Sequence, residues 1–185
     1  MDKKLFNKII NSCYSNFISF AVWNEDDVRD ISVIKNNIDC LNKNIIIVGL
    51  NTNGLVEKFK NFHYKGCGGR DVWLKEVFNR SVFRGAYMTD IIKNDNSSSR
   101  KDVNLTKENK IKNAHRFKEE LQFIECENPY IIVMGDDAYE IILEYLPEYK
   151  NNVQKIPHYA KRGIKKEQFI KSIKKLEIIY KIEKK

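Results

Sequence analysis

The stretch Asn44-Ile45-Ile46-Ile47-Val48-Gly49-Leu50-Asn51-Thr52-Asn53-Gly54 decides the fold. Its isoleucines and valine form an unbroken apolar, β-branched run. Such a run reads as a strand buried on both faces, the pattern of a parallel sheet rather than of a half-exposed antiparallel one. The run stops at Gly49 and gives way to small polar residues. A loop leaving the carboxyl end of a central parallel strand is where open α/β sheets hold their ligands. The same residues also fit a strand end followed by an ordinary turn, so the rest of the chain has to decide.

Upstream, Leu5, Ile9, Cys13 and Phe17 recur at helical spacing with Phe6, Ile10 and Phe20 beside them, which predicts a helix within residues 3–21. The acidic start Glu25-Asp26-Asp27 suits a second helix's N-terminus, and Val28, Ile31, Ile34 and Ile38 carry that helix over 26–41, although Ile31 to Ile34 also fit an extended segment. Downstream, Gly54 to Lys60 reads as a short helical turn. Phe62-His63-Tyr64 then opens a loop with Gly66, Gly68 and Gly69, where glycines permit positive φ and close backbone approach. Val72, Trp73, Val77 and Phe78 mark a helix to about Asn79. Strands follow at Gly85–Ile92, which has a polar end, at Tyr130–Gly135 and at Val153–Pro157. Between and after them lie helices: one capped by Thr106 with Ile111, Ala114, Phe117, Leu121 and Ile124 on one face, one opened by Asp136 and Asp137, and one from about Lys166. Alternation of this kind predicts an α/β chain. The expected form is a single three-layer domain over 1–185, with a central, mainly parallel four-stranded sheet, helices on both faces, and a helical N-terminal segment, 1–43, packed on it. The chain has no internal repeat and no clear linker.

Composition narrows the function. Net charge is +8 with pI near 9.2, and a basic surface favours polyanions, nucleic acid first. The joint richness in Lys, Asn and Ile is also what an AT-rich genome produces regardless of function. No apolar run approaches the roughly 20 residues of a membrane helix and the N-terminus does not read as a signal peptide, so a cytoplasmic compartment is expected. Cys13, Cys40, Cys67 and Cys126 lie far apart without a CxxC pair. Zinc and iron–sulfur sites usually show close pairs, so free thiols are expected and no metal or cluster. The loop Gly49 to Gly54 is neither GxGxxG nor GxxxxGK[ST], which leaves dinucleotide and P-loop sites unsupported, and no nucleophile elbow is present. His115 on its helix reads as solvated, and Asp136 and Asp137 read as helix-terminal acids.

In order and spacing these motifs resemble the uracil-DNA glycosylase superfamily, in particular its mismatch-specific uracil/thymine branch, from about Asn44 to Leu176. Gly49-Leu50-Asn51-Thr52-Asn53 stands in place of that branch's G-I-N-P-G. Phe62-His63-Tyr64 is similar to its aromatic loop, and Arg70-Asp71-Val72-Trp73 stands where N-R-F-W enters a helix. Thr89 within Ala86–Ile91 is similar to its G-V-T-x-L strand, and Ile132–Glu140 to its third strand and helix. Pro157-His158-Tyr159-Ala160-Lys161-Arg162 replaces N-P-S or H-P-S plus an intercalating residue. Thr52-Asn53 in place of Pro-Gly, and Tyr159-Ala160 in place of Pro-Ser, leave open a reshaped pocket, a different base or lost catalysis.

The resemblance implies a monofunctional DNA glycosylase that hydrolyses the N-glycosidic bond of uracil or a related damaged or mismatched base flipped from DNA, in base excision repair, without cofactor and as a monomer. A base within a duplex is out of reach, so flipping comes first, at a few kcal/mol. Asn51 is implied to position water, unless it only closes a turn. His158 is implied to contact the leaving base, unless it is structural. Tyr64, or Phe62 as second choice, stacks on the base; Leu50 and Thr89 complete the base site. Asn53, Lys161 and Arg162 are implied to hold DNA, although Lys161 and Arg162 also fit a solvated basic turn. Two other readings stand beside this one: a non-catalytic nucleic-acid-binding member of the same fold, and a nucleotide- or nucleoside-processing enzyme.

Overall fold

The computed structural model describes residues 1–52, 57–64, 69–93, 95 and 97–183. Asn53 lies outside them, as do Gly54, where the 54–60 turn was expected to begin, and Gly66 and Gly68 of the glycine-rich loop. Among the described residues five strands form one sheet in the order β1-β3-β2-β4-β5: β1 Ser19–Phe20, β2 Asn42–Asn51, β3 Ala86–Ile92, β4 Tyr130–Met134 and β5 Val153–Ile156. The pairs β2–β3, β2–β4 and β4–β5 are parallel. The sequence reading expects four strands; the fifth, β1, is two residues long and runs antiparallel to β3, with Ser19 opposite Met88 and Phe20 opposite Tyr87. It covers the outer edge of β3, which would otherwise present unpaired backbone groups.

The helices are α1 Lys3–Ile10, α2 Ser32–Asn36, α3 Asp71–Phe78, α4 Lys107–Phe123, α5 Asp136–Tyr145 and α6 Lys166–Glu183. Two cores flank the sheet. On one side Ile46, Val48, Tyr87, Ile131 and Val133 pack with Leu5 and Phe6 of α1, Phe117 of α4 and Ile141 of α5. On the other, Ile45, Ile47, Met88, Ile132 and Met134 pack with Leu74 and Phe78 of α3 and Phe169 and Ile173 of α6. Ile45 to Val48 are buried on both faces because both faces are covered, which is why the run is continuous and not alternating. No described helix is long and apolar enough to cross a membrane.

The N-terminal segment departs from the expected pair of long helices. α1 ends with Asn11 as its cap, and Ser12 then accepts the Tyr14 backbone N–H to start a 3₁₀ turn, Cys13–Asn16. In place of a helix starting at residue 26, side chains capture the backbone. Asn24 Oδ1 accepts from the N–H groups of Asp26 and Asp27, Asp27 Oδ1 from Arg29, and Asp30 Oδ1 from Ser32. Short polar side chains that bond their own backbone two residues on compete with helix formation. Asn24, Asp27 and Asp30 form turns where a helix start was expected, and α2 is confined to Ser32–Asn36.

Candidate functional site

From β2 the chain moves to one side of the sheet to form β3, then crosses to β2's other side to form β4 and β5. The reversal opens a crevice beyond the carboxyl ends of β2 and β4, where open α/β sheets bind ligands. A cleft of about 890 Å³ occupies it, within the range of small-molecule sites. Leu50, Asn51, Phe62, Tyr64, His158, Lys161 and Arg162 all line it. Thr89 does not. Side chains alternate along β3: Thr89 is fully buried and its hydroxyl accepts from Lys93 Nζ at 3.0 Å, while the next residue, Asp90, reaches the cleft.

Asn51 is the last residue of β2. Its Nδ2 donates to the carbonyls of Ser97 (2.9 Å) and Asp95 (3.3 Å), which ties the strand end to the following loop. With both amide hydrogens committed, the group left for a ligand is the acceptor Oδ1. Phe62 is buried at positive φ of 64°, and its ring packs beneath Gly49. Its neighbour His63 is fully buried, stacks on Trp23 at 4.9 Å and donates from Nε2 to the Phe20 carbonyl at 3.2 Å. Burial pushes its pKa down to about 4. Within this aromatic run Phe62 is floor, His63 is core, and Tyr64, 50% exposed, stands at the mouth.

His158 follows β5. Its Nδ1 accepts the Ala160 backbone N–H at 3.1 Å, and its ring stacks on Tyr159 at 4.7 Å. Burial lowers its pKa to about 4, so the imidazole is neutral at physiological pH. A neutral imidazole that accepts at Nδ1 carries its proton on Nε2. His158 is therefore a neutral N–H donor in the cleft wall.

Two carboxyl groups that the sequence did not single out complete the interior. Asp90, 2% exposed, accepts at Oδ2 from Asn61 Nδ2 at 2.8 Å and from Thr52 Oγ1 at 3.5 Å. Its Oδ1 lies 2.2 Å from where a β-carbon on Gly49 would stand, so position 49 admits no side chain while Asp90 keeps this place. Burial raises the Asp90 pKa to about 6, against the bond from Asn61 and the charge of Lys93. Asp71, the first residue of α3 and 3% exposed, receives the Tyr159 hydroxyl and the Tyr64 backbone N–H, and burial raises its pKa to about 7. The signal for Asp90 was present: a carboxylate inside the apolar run Ala86–Ile92 has to be buried, and buried acids cluster where chemistry is done. Asp71 gave no such signal, because an acid at a helix start reads as a dipole partner.

The rim is basic but largely paired. Arg70 donates to the carbonyls of Lys161 (3.1 Å) and Tyr159 (3.4 Å), fixing the turn after β5 against the start of α3. Lys161 lies 3.5 Å from Asp136, which also pairs with Lys155 at 3.0 Å, and Arg100 is bidentate on Asp137. Arg162 is exposed and pairs with no carboxylate among the described residues. Gly135, at φ 100°, turns β4 into α5 beside the cleft. The positive end of that helix is already occupied by Asp136 and Asp137, so it is a poor place for a phosphate. Among the described residues no three His, Cys, Asp or Glu side chains group as metal ligands.

Such a lining can hold a flat polar ring under Tyr64, present an N–H from His158 to a developing anion, and hold a water between an amide oxygen and a basic carboxylate. Comparison with protein-family models gives no match, and no curated protein matches the chain.

Proposed function

We propose that this protein is a DNA glycosylase of the uracil-DNA glycosylase type, hydrolysing the N-glycosidic bond of uracil or a related damaged base flipped out of DNA. The observation that carries the reading is the convergence of Asn51, Asp90 and His158 on one cleft with Tyr64 at its mouth. In this reading the base enters under Tyr64, where stacking is worth about 1–3 kcal/mol. As the bond from the base nitrogen to C1′ breaks, its electron pair leaves with the base. The Nε2–H of His158 stabilises the negative charge on the base oxygen, a donor aimed where charge develops. Asn51 Oδ1 orients the water. Asp90, ionised above about pH 6, takes the water's proton as its oxygen bonds to C1′. The products are the free base and an abasic sugar. Asp136 and Asp137 at the helix start disfavour a free nucleotide's phosphates inside the cleft, which sets the nucleotide-processing alternative behind.

The test is single-turnover excision from oligonucleotides carrying a panel of deaminated and mismatched bases, read by alkaline strand cleavage. Asn51→Ala, His158→Ala and Asp90→Asn are each expected to slow excision by about 10²–10³ while binding to a non-cleavable analogue stays within a few-fold, the signature of groups acting in the transition state. A parent that binds such DNA and cleaves none of it gives the non-catalytic reading instead.

A further inference from the structure

Asp71 is unusual among the cleft's polar groups. Its residue is 3% exposed, yet Oδ1 has no hydrogen-bond partner among the described residues, although the Tyr159 hydroxyl and the Tyr64 N–H donate to the same carboxyl. A buried oxygen left without a donor costs stability, about 1–3 kcal/mol for a neutral group and more for a charged one. The carboxyl is held by two donors from the cleft wall, and one of its atoms is kept unsatisfied there. Tyr159 links this atom to the proposed leaving-group donor: its hydroxyl is on Asp71 and its ring is stacked on His158. One tyrosine thus sets an acceptor, Asp71 Oδ1, and a donor, His158 Nε2–H, around the same space.

We infer that Asp71 is the specificity-determining residue of the cleft, its Oδ1 accepting the ring N–H of a lactam base whose carbonyl faces His158. The inference rests on the glycosylase reading for its substrate and names the class more narrowly. Uracil and hypoxanthine carry a ring N–H beside a carbonyl. Cytosine and adenine, from which deamination makes them, have a lone pair at that ring nitrogen, which would face the Asp71 oxygen. A site built to bond an N–H rejects an analogue lacking it because its own buried group stays unpaired. The cleft's volume admits either ring size, so selection falls on the edge of the base and not on its bulk.

The experiment is equilibrium binding of the free bases, followed by protein NMR, with two matched pairs: uracil against cytosine and hypoxanthine against adenine. At about pH 8.5, above the Asp71 pKa of about 7 and with its carboxyl ionised, the parent is expected to favour the lactam of each pair by about tenfold or more, the scale of one hydrogen bond to a buried charged group. Asp71→Asn keeps the shape and is expected to abolish that preference. Tyr159→Phe, which unties Asp71 without removing it, is expected to reduce the preference and serves if Asp71→Asn does not fold. Tyr64→Ala should weaken all four bases alike. A parent without the preference, or an Asp71→Asn protein that keeps it, overturns the assignment. The excision assay separates this from the glycosylase reading: a parent that selects lactams through Asp71 and cleaves no oligonucleotide supports the assignment and refutes the enzyme.

Discussion

β3 and the residue that follows it carry two buried ionisable groups three positions apart, Asp90 and Lys93, and they end in opposite circumstances. Lys93, 3% exposed at its side chain, donates from Nζ to Thr89 Oγ1 at 3.0 Å and to the Asp90 carbonyl at 2.5 Å, and forms an ion pair with Glu120 Oε2 at 2.5 Å. Glu120, with no exposed side-chain surface, accepts the Tyr87 hydroxyl on its other oxygen at 2.8 Å. Asp90 and Asp71, nearly as deep, have no cation bonded to their carboxyl groups among the described residues and are driven toward the neutral acid by burial. The first arrangement holds the strand end in place. The second lacks a counter-charge, and Asp71 keeps Oδ1 without a hydrogen-bond partner among the described residues. Buried charge by itself therefore says little; whether an opposite charge is bonded to it separates structural polar groups from those available to a ligand.

The sharpest way to break the comparison is to remove one member of the satisfied pair. Lys93→Met leaves Glu120 buried without its cation and is expected to cost about 3–5 kcal/mol in urea unfolding at pH 7. Replacing both partners, Lys93→Met with Glu120→Met, should recover part of that loss, since an apolar pair of similar volume leaves no uncompensated charge. If the single variant costs under about 1 kcal/mol, Lys93 and Glu120 are not the structural clamp described, and the contrast with Asp90 fails.

Gly49→Ala comes next in size and acts on the cleft. The added carbon would stand 2.2 Å from Asp90 Oδ1 and 3.2 Å from Phe62 Cζ. Overpacking of this kind costs about 1–3 kcal/mol. The carboxylate has to swing away, so excision should fall along with stability. A well-folded Gly49→Ala protein with unchanged activity would mean that Asp90's position does not matter to the chemistry.

How much of this was legible beforehand follows the same division. The continuous apolar run Ile45–Val48 fixed β2 at the centre of a parallel sheet, and the polar residues after Gly49 marked the correct end of it, because both signals are local and both report burial. The gathering of Leu50, Asn51, Tyr64, His158, Lys161 and Arg162 at one crevice was readable from motif order. Thr89 was misplaced by one residue's alternation, since nothing in Thr89-Asp90 says which side chain turns to which face. The acidic start Glu25-Asp26-Asp27 was read as a helix N-terminus, because bonding to one's own backbone, as Asn24 and Asp27 do, and bonding to a helix dipole call for similar residue types. Asp71 and Lys93 acquire meaning only through partners 88 and 27 positions away in the chain, Tyr159 and Glu120, and no local pattern carries such distances.

The burial of the cleft acids has a sign that can be measured. Asp90's pKa stands at about 6 in the fold against an ordinary 3.8. The folded state therefore binds more protons between those values, and stability from this group is fully present below about pH 3.8 and lost as pH rises through about 6. The unfolding free energy of the parent minus that of Asp90→Asn should fall with pH across this window, with a slope approaching at most about 1.4 kcal/mol per unit, and be flat above it. His63 and His158 titrate in both proteins and cancel in the difference. The same subtraction with Asp71→Asn should extend its fall to about pH 7. A difference that rises with pH would mean that these carboxylates are stabilised by partners as Lys93 is.

The smallest expected effect tests pairing at the rim. Lys161 shares Asp136 with Lys155, whereas Arg162 pairs with no carboxylate among the described residues. On duplex DNA each neutralised phosphate contributes about −0.9 to the slope of log affinity against log salt. If Arg162 contacts a phosphate, Arg162→Ala should make the slope shallower by about that amount. Lys161→Ala should change it less, because a lysine already held by a carboxylate brings little net charge to DNA, and its removal frees Asp136 to draw more fully on Lys155. Asp136→Asn then supplies the converse: with its partner neutralised, Lys161 becomes available, so binding at low salt should tighten and the slope steepen. Equal slopes in all four proteins would place the DNA-facing surface elsewhere. A larger change from Lys161→Ala than from Arg162→Ala would show that pairing with an opposite charge, which separates Lys93 from Asp90 in the interior, does not govern which cations act at the solvent-exposed rim.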